Sequence, residues 1–117
     1  GVAVLMFTGN IKVHCEDTSF TINATYWSDL EIDYSEVDTI EYRKDLDVGV
    51  RTNGFGSARL LMGIFQNDEF GSYTLYAYTG AKEFVVLTSG TKTLVIGMSD
   101  VEDTQAIYDT MLEKIGE

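Results

Sequence analysis

The fold class of this chain is decided by four short runs in its second half: "LLMGIF" (60–65), "YTLYAY" (73–78), "FVVL" (84–87) and "LVIGM" (94–98). These runs are rich in β-branched and aromatic residues, and Gly, Asn, Asp and Ser are common in the stretches between them. That combination is typical of β-strands joined by turns. The sequence therefore predicts a mainly β protein.

The connections between the later strands are short. "TGAK" (79–82) and "SGTK" (89–92) have the length of hairpin loops. They predict that successive strands in this half of the chain are antiparallel neighbours. The chain contains no proline, so no residue lacks the backbone N–H that a sheet ladder needs.

The first half of the chain shows the same strand signal at every second residue. Alternation of apolar and polar residues is expected where a strand buries one face. The alternating positions are Ile11, Val13 and Cys15, then Phe20 and Ile22, then Leu30, Ile32 and Tyr34, then Val37, Ile40 and Tyr42. A slip at Thr39 predicts a β-bulge, and "VAVLMF" (2–7) also has the length of a strand.

The pattern changes to a helical one at the C-terminus. Ser99 followed by Glu102 fits a capping box at the start of a helix. Six residues then share one face at helical spacing: Val101, Thr104, Tyr108, Met111, Leu112 and Ile115. We therefore predict one amphipathic helix over residues 100–115.

The length of the chain predicts a single domain. Its 117 residues (1–117) have room for one compact core. Many strands followed by one helix can form an open sheet covered by the helix, or a barrel or sandwich closed by it. An open sheet would leave long edges, and the chain has too little material to cover them. We favour an antiparallel barrel capped by the C-terminal helix.

The charge of the chain excludes several classes of partner. It has 19 acidic and 8 basic residues, which gives a net charge of −11. Such a chain repels nucleic-acid phosphates and anionic lipid head groups unless basic residues cluster locally. Only Arg43 and Lys44 are adjacent. We expect no nucleic-acid partner.

Catalytic residues are not indicated by the sequence. His14 and Cys15 are adjacent in a predicted strand, so their side chains point to opposite faces and cannot share a proton. His14 is the only histidine, and no nucleophile elbow accompanies it. We expect no catalytic residue and no cofactor.

A metal site is not indicated either. The acidic run "DLEIDYSEVD" (29–38) places Asp29, Glu31 and Asp33 on one face of a strand. A calcium-binding EF-hand loop starting at Asp29 would need glycine in place of Tyr34 and glutamate in place of Ile40. We interpret the run as the solvated face of a half-buried strand.

The segment "RTNGFGSAR" (51–59) is the candidate binding site. A dinucleotide-binding loop would need a third glycine where Arg59 stands, and a helix rather than a strand after it. Gly54 and Gly56 are instead interpreted as permitting a bend or a close backbone approach. Because two arginines flank the segment in an acidic chain, we predict that a partner contacts Arg51, Asn53, Phe55 and Arg59.

Several of these segments together resemble a bacterial pleckstrin-homology-like domain family, whose members are mostly uncharacterised and often fused to membrane helices. The resemblance rests on "DYSEVDTIEY" (33–42), on residues 51–78 with their R-x-N-G-F-G segment, on "KEFVVLTSGTKTLVIGMSD" (82–100) and on the closing helix. It implies two antiparallel sheets in a partly open barrel, with the helix at one end.

The chain departs from the eukaryotic pleckstrin-homology domains that bind phosphoinositides. Those domains carry a basic cluster in their first hairpin, whereas the N-terminal segments here contain only Lys12, amid Glu16 and Asp17. The tryptophan common in their final helix is absent, and Tyr108 is the nearest aromatic substitute. We therefore expect no phosphoinositide binding.

The leading functional prediction is a non-catalytic binding or scaffolding module for a protein or peptide, or for a second copy of the chain, through a loop face or a sheet edge. The alternatives are a barrel that binds a small apolar ligand and, third, an enzyme with His14 as general base. The chain begins at Gly1 without methionine, which predicts that a segment precedes it. We expect a cytoplasmic or membrane-tethered bacterial protein, with attachment only through that segment.

Overall fold

The computed structural model describes residues 5–7 and 9–116, which form ten strands, a short 3-10 helix and one α-helix. The strands are β1 (Leu5–Phe7), β2 (Ile11–Cys15), β3 (Ser19–Ala24), β4 (Trp27–Asp33), β5 (Thr39–Arg43), β6 (Val50–Gly56), β7 (Leu60–Asn67), β8 (Gly71–Tyr78), β9 (Phe84–Ser89) and β10 (Lys92–Gly97). The 3-10 helix is Tyr34–Glu36, and α1 is Val101–Gly116. The first part of the predicted strand 2–7 lies outside the described residues.

The strands form two sheets that do not close on each other. The first has four strands in the order β1-β2-β3-β4, and all its neighbours are antiparallel. The second has six strands in the order β5-β9-β10-β8-β7-β6. Helix α1 contacts β1 and β2 of the first sheet and β5 and β9 of the second. The predicted partly open barrel capped by the C-terminal helix is thus confirmed.

The prediction that all later strands are sequential neighbours is wrong for β8 and β9. Strand β10 lies between them, antiparallel to β9 and parallel to β8. The "SGTK" connection is a hairpin as predicted, whereas "TGAK" crosses the end of β10. Gly97 makes this crossing possible, because a Cβ atom there would lie 2.7 Å from the Phe84 ring.

The predicted bulge at Thr39 is also wrong. The 3-10 helix interrupts the alternating pattern at Tyr34–Glu36, and β5 begins only at Thr39. From Thr39 to Arg43, β5 pairs with β9 in unbroken register. The slip in the apolar pattern therefore marks the start of a strand.

The six-stranded sheet carries a core on each face. The inner core lies between the two sheets and α1, and its large buried members include Phe20, Met62 and Tyr76. The outer core contains Phe65, Tyr73 and Val95. Burial on both faces explains why β9 and β10 are continuously apolar instead of alternating.

Residues 44–49, which we name the strap, help to cover the outer core. The strap connects β5 and β6, which are the opposite edges of the six-stranded sheet. Its Leu46 and Val48 pack against the outer core, and the Tyr73 hydroxyl donates to the Val48 carbonyl at 2.7 Å. At its start, Arg43 makes a bidentate ion pair with Glu69, at 2.6 and 3.1 Å.

Helix α1 buries a slightly different face from the one predicted. Its buried residues are Thr104, Ile107 and Met111, whereas Leu112 is 45% exposed. The predicted capping box at Ser99 is wrong, because the helix starts one residue later. The Asp100 carbonyl accepts the N–H of Thr104, so Asp100 is the N-cap residue. The Thr104 hydroxyl in turn accepts the N–H of Met98 at 3.1 Å.

Candidate functional site

The predicted binding segment lies mainly in an edge strand and not in a bend. Strand β6 is the last in the sheet order, so one of its sides has no neighbouring strand among the described residues. The register with β7 shifts between Arg51 and Asn53, which places a β-bulge at Thr52. A bulge depends on the partner strand, so the local sequence carried no signal for it.

Arg51 lies on the outer face of the sheet. It stands opposite Phe65 of the outer core, and cross-strand partners share a face. Its guanidinium group lies against Gly56, where a Cβ atom would collide with Nη1. Gly56 therefore provides room for the Arg51 side chain, a role that sequence reasoning missed.

Asn53 and Phe55 lie on the opposite, inner face. Phe55 stands opposite Met62 of the inner core. Its ring stacks on Tyr26, with centroids 4.2 Å apart. Tyr26 belongs to the turn between β3 and β4, so this stack joins the two sheets. The bulge thus separates Arg51 from Asn53, and the four predicted residues do not form one continuous patch.

Arg59 lies in the turn that connects β6 to β7. The Ser57 hydroxyl accepts the backbone N–H of Arg59 at 3.2 Å, and the Arg59 carbonyl accepts the N–H of Thr79 at 2.9 Å. The backbone is therefore held while the side chain is exposed. Within the described ranges, neither Arg59 nor Arg51 forms an ion pair.

A groove between the two sheets is the second candidate site, and sequence reasoning did not identify it. At one end, the Tyr76 hydroxyl donates to the Ser28 carbonyl at 2.6 Å and holds the start of β4 against the six-stranded sheet. Further along β4, a groove of about 510 Å³ opens between Leu30 and Ile32 on one side and Ile64 and Leu94 on the other. These four side chains give it an apolar lining.

Two of the three charged residues that line the groove are acidic. Glu31 and Glu36 line it, and Lys92 lies on the opposite wall. Asp29 and Asp33 are exposed on the same strand as Glu31. None of these four carboxylates forms an ion pair with any residue that the structure describes. The alternating acidic run was the sequence signal for these carboxylates.

The predicted absence of a His–Cys pair is consistent with the side-chain placements. Cys15 is fully buried in the inner core, whereas His14 is partly exposed and its Nδ1 lies 3.7 Å from a Glu16 carboxylate oxygen. Burial raises the pKa of the Cys15 thiol to about 11, despite a smaller opposing effect of Tyr34. The thiol is therefore protonated at neutral pH and is a poor nucleophile.

The described residues contain no cluster of three or more His, Cys, Asp or Glu side chains that could hold a metal ion.

A family model for the bacterial pleckstrin-homology (PH) domain matches residues 11–109. The chain belongs to this family. No match was found among curated proteins or among solved structures. The family assignment confirms the resemblance seen in the sequence, and PH domains are generally non-catalytic modules.

This PH domain lacks a basic first hairpin in the region that the structure describes. Lys12 is exposed on β2, and the neighbouring β3 carries no cation. No described helix is both long and apolar enough to span a bilayer. Arg51 lies on the edge strand β6 and Arg59 in the turn that follows it, whereas Arg43 on the other edge strand, β5, is paired with Glu41 and Glu69.

Proposed function

We propose that this PH domain is a non-catalytic module that binds a segment of another protein at β6, the edge strand of its larger sheet. The observation that supports it best is the pair of arginines without ion-pair partners, Arg51 and Arg59, at an exposed edge in a chain of net charge −11. Val50, at the start of the same strand, is 66% exposed. An unpaired edge offers backbone N–H and C=O groups to an extended segment.

The arginines indicate an acidic partner segment. A guanidinium group binds carboxylates in a bidentate manner, and an arginine that is already ordered loses less side-chain entropy on binding. The contact with Gly56 orders Arg51 in this way. Arg59 is exposed on a turn whose backbone is held by hydrogen bonds, so its side chain extends from a fixed point beside β6.

The bulge at Thr52 limits where main-chain pairing can occur. An extended segment can pair in regular register only with the part of β6 beyond the bulge, from Asn53 to Gly56. The unpaired backbone groups of this part of β6 would bond to the partner segment. The edge of a second copy would use the same groups, which makes self-association through β6 the alternative outcome.

The test compares two charge-reversed variants of the full chain. Arg51→Glu with Arg59→Glu changes the proposed site, whereas Lys12→Glu with Lys44→Glu makes the same change in net charge at exposed positions elsewhere. We expect a partner retained from the host extract by the unmodified chain and by the control to be lost from the β6 variant. Equal circular-dichroism spectra and unfolding midpoints would show that both variants fold.

Light scattering after size-exclusion chromatography at several concentrations separates the two outcomes. A concentration-dependent dimer that the β6 variant abolishes would identify a second copy as the partner. Retention of every partner by the β6 variant, with monomers at all concentrations, would contradict the proposal.

A further inference from the structure

We propose that the groove beside β4 binds an extended segment in which lysine or arginine alternates with apolar residues, added as a fifth strand to the smaller sheet. This site is separate from the β6 edge, and it requires a partner of opposite charge to the one proposed there. The inference goes beyond the proposed function and does not rest on it.

The backbone of β4 presents free groups at Glu31 and at the Asp33 carbonyl, whereas the Asp33 N–H already donates to a Glu36 carboxylate oxygen at 3.4 Å. The Tyr34 N–H donates to the Thr18 carbonyl at 3.0 Å, and β3 and β4 pair with Asp33 opposite Ser19 and Glu31 opposite Thr21. Hydrogen-bonded pairs alternate along an antiparallel ladder. The N–H and C=O groups of Glu31 and Asp33 therefore point away from β3, toward the free edge.

The two faces of β4 then determine the side chains of an added strand. Residues directly opposite Glu31 and Asp33 would have their side chains on the same face as these carboxylates, where basic residues complete cross-strand ion pairs. The intervening residues would point to the groove lining at Ile32, Ile64 and Leu94. The expected occupant thus alternates basic and apolar residues with the period of a strand.

Charge favours this occupant over a neutral or acidic strand. Glu31 and Glu36 line the groove, with Lys92 on the other wall. Asp29 and Asp33 are exposed on the same strand as Glu31, and none of these four carboxylates forms an ion pair with a described residue. An acidic segment would add like charges directly opposite these groups, which is destabilising. A basic segment is attracted by them and also by the net charge of the whole chain.

The length of the site is set by its two ends. At Ser28, the carbonyl already accepts the Tyr76 hydroxyl, so the edge is occupied there. At the other end, β4 stops at Asp33 and the chain turns into the 3-10 helix Tyr34–Glu36. The register with β3 also shifts at Ser28 and Asp29, so the regular free edge runs from Leu30 to Asp33, which is about 13 Å of strand.

The probe is the peptide acetyl-Lys-Val-Lys-Thr-Lys-Val-Lys-amide, with binding to the full chain measured by isothermal titration calorimetry. A peptide of the same composition with its lysines grouped at one end serves as the control for net charge. We expect the alternating peptide to bind at least tenfold more tightly than the grouped one. The methyl NMR signals of Ile64 and Leu94 should shift only with the alternating peptide.

Backbone N-methylation tests strand addition directly. In a fifth strand antiparallel to β4, the lysines are the residues whose N–H groups bond to β4, so N-methylation of the lysine backbone should abolish binding. N-methylation of the Val and Thr residues should leave it intact, because their N–H groups point away from β4. A slip by one residue would direct lysines into the apolar groove, so the side-chain pattern fixes this register.

Matched variants of the protein complete the test. Replacing Asp29, Glu31 and Asp33 with lysine should weaken binding of the alternating peptide roughly tenfold or more. Each exposed ion pair contributes little free energy, but the three lysines also repel the peptide. Replacing Glu102, Asp109 and Glu113 on the exposed side of α1 makes the same change in charge. This control should weaken binding much less, and the Arg51 and Arg59 variant should retain it.

Three results would overturn the inference. Equal binding of the alternating and grouped peptides would mean simple electrostatic adsorption to an acidic protein. Equal effects of the two N-methylation patterns would exclude main-chain pairing at β4. The third result concerns protein purified from its own host. If native mass spectrometry detects a small apolar molecule there, and that molecule can be displaced from Ile64 and Leu94, the groove binds a different ligand. None of these results bears on the β6 site.

Discussion

Gly54 and Gly63 face each other across β6 and β7, and the two strands approach too closely there for any side chain. A Cβ atom on Gly54 would collide with the Met62 carbonyl oxygen, and one on Gly63 with the Asn53 carbonyl oxygen. Both residues also have positive φ angles, of 137° and 125°. This pair of glycines sets the path of the edge strand on which the proposed site depends.

Gly54→Ala should therefore lower the free energy of unfolding by about 1–3 kcal/mol, because alanine resists this backbone conformation and meets the facing strand. Urea unfolding followed by circular dichroism measures the change. Gly80→Ala is the control, since a Cβ atom there meets nothing within 4 Å and its φ is not in the left-handed region. An equally stable Gly54→Ala variant would contradict this account.

The sequence predicted a close backbone approach at Gly54 but not its partner. Gly63 lies within the strand pattern "LLMGIF", and nothing local indicates that it stands opposite Gly54. The role of Gly56 was missed for the same reason, because it depends on where the Arg51 side chain lies. Glycine positions are visible in a sequence, but the atoms that require them come from other strands.

At the scale of elements, the bounds of α1 followed from its sequence more closely than its orientation did. Ile107 was absent from the predicted face but is fully buried, and Leu112 was included but is 45% exposed. Where apolar residues are adjacent in the sequence, helical spacing alone does not decide which of them points toward the core. The contacts with β5 and β9 decide which of them is buried.

Ile107→Ala and Leu112→Ala are a matched pair that measures this difference. The first should lower the free energy of unfolding by about 2–5 kcal/mol, because it leaves a cavity in the inner core. The second should change it by less than about 0.5 kcal/mol, as expected for an exposed site. Thermal and urea unfolding would give both values, and equal losses would place the helix in a different orientation.

Strand positions were predictable because residue composition and turn residues act locally. Strand order was not, because β8 to β10 pairing joins residues separated by the whole of β9. The groove was hidden for a related reason. The acidic run was recognised as an exposed face, but only the two sheets together show that β4 is a free edge beside an apolar groove.

At the scale of the whole molecule, two buried tyrosines connect the parts of the fold. The Tyr76 hydroxyl joins the two sheets through Ser28, and the Tyr73 hydroxyl joins the strap to the outer core through Val48. Burial, with smaller effects of Asp29 and Asp47 respectively, raises the pKa of each phenol to about 12. The folded protein thus holds both groups in the neutral form.

These shifts predict the stability of the protein in alkali. The pKa of each tyrosine is raised above its ordinary value of 10.0, so its contribution is fully present below pH 10.0 and is lost as the pH rises toward about 12. Urea unfolding at a series of pH values should show a loss of stability over this range. Tyr73→Phe with Tyr76→Phe should reduce the slope, and an unchanged slope would contradict the prediction.

The position of β10 has a consequence for protein synthesis. Strands β8 and β9 leave the ribosome before β10, which lies between them in the finished sheet. Until residue 97 emerges, each exposes an edge that β10 will later cover, and premature pairing of the two would exclude it. Strand β10, the last strand among the described residues, therefore completes the middle of the larger sheet, and β8 and β9 must not pair with each other before it emerges.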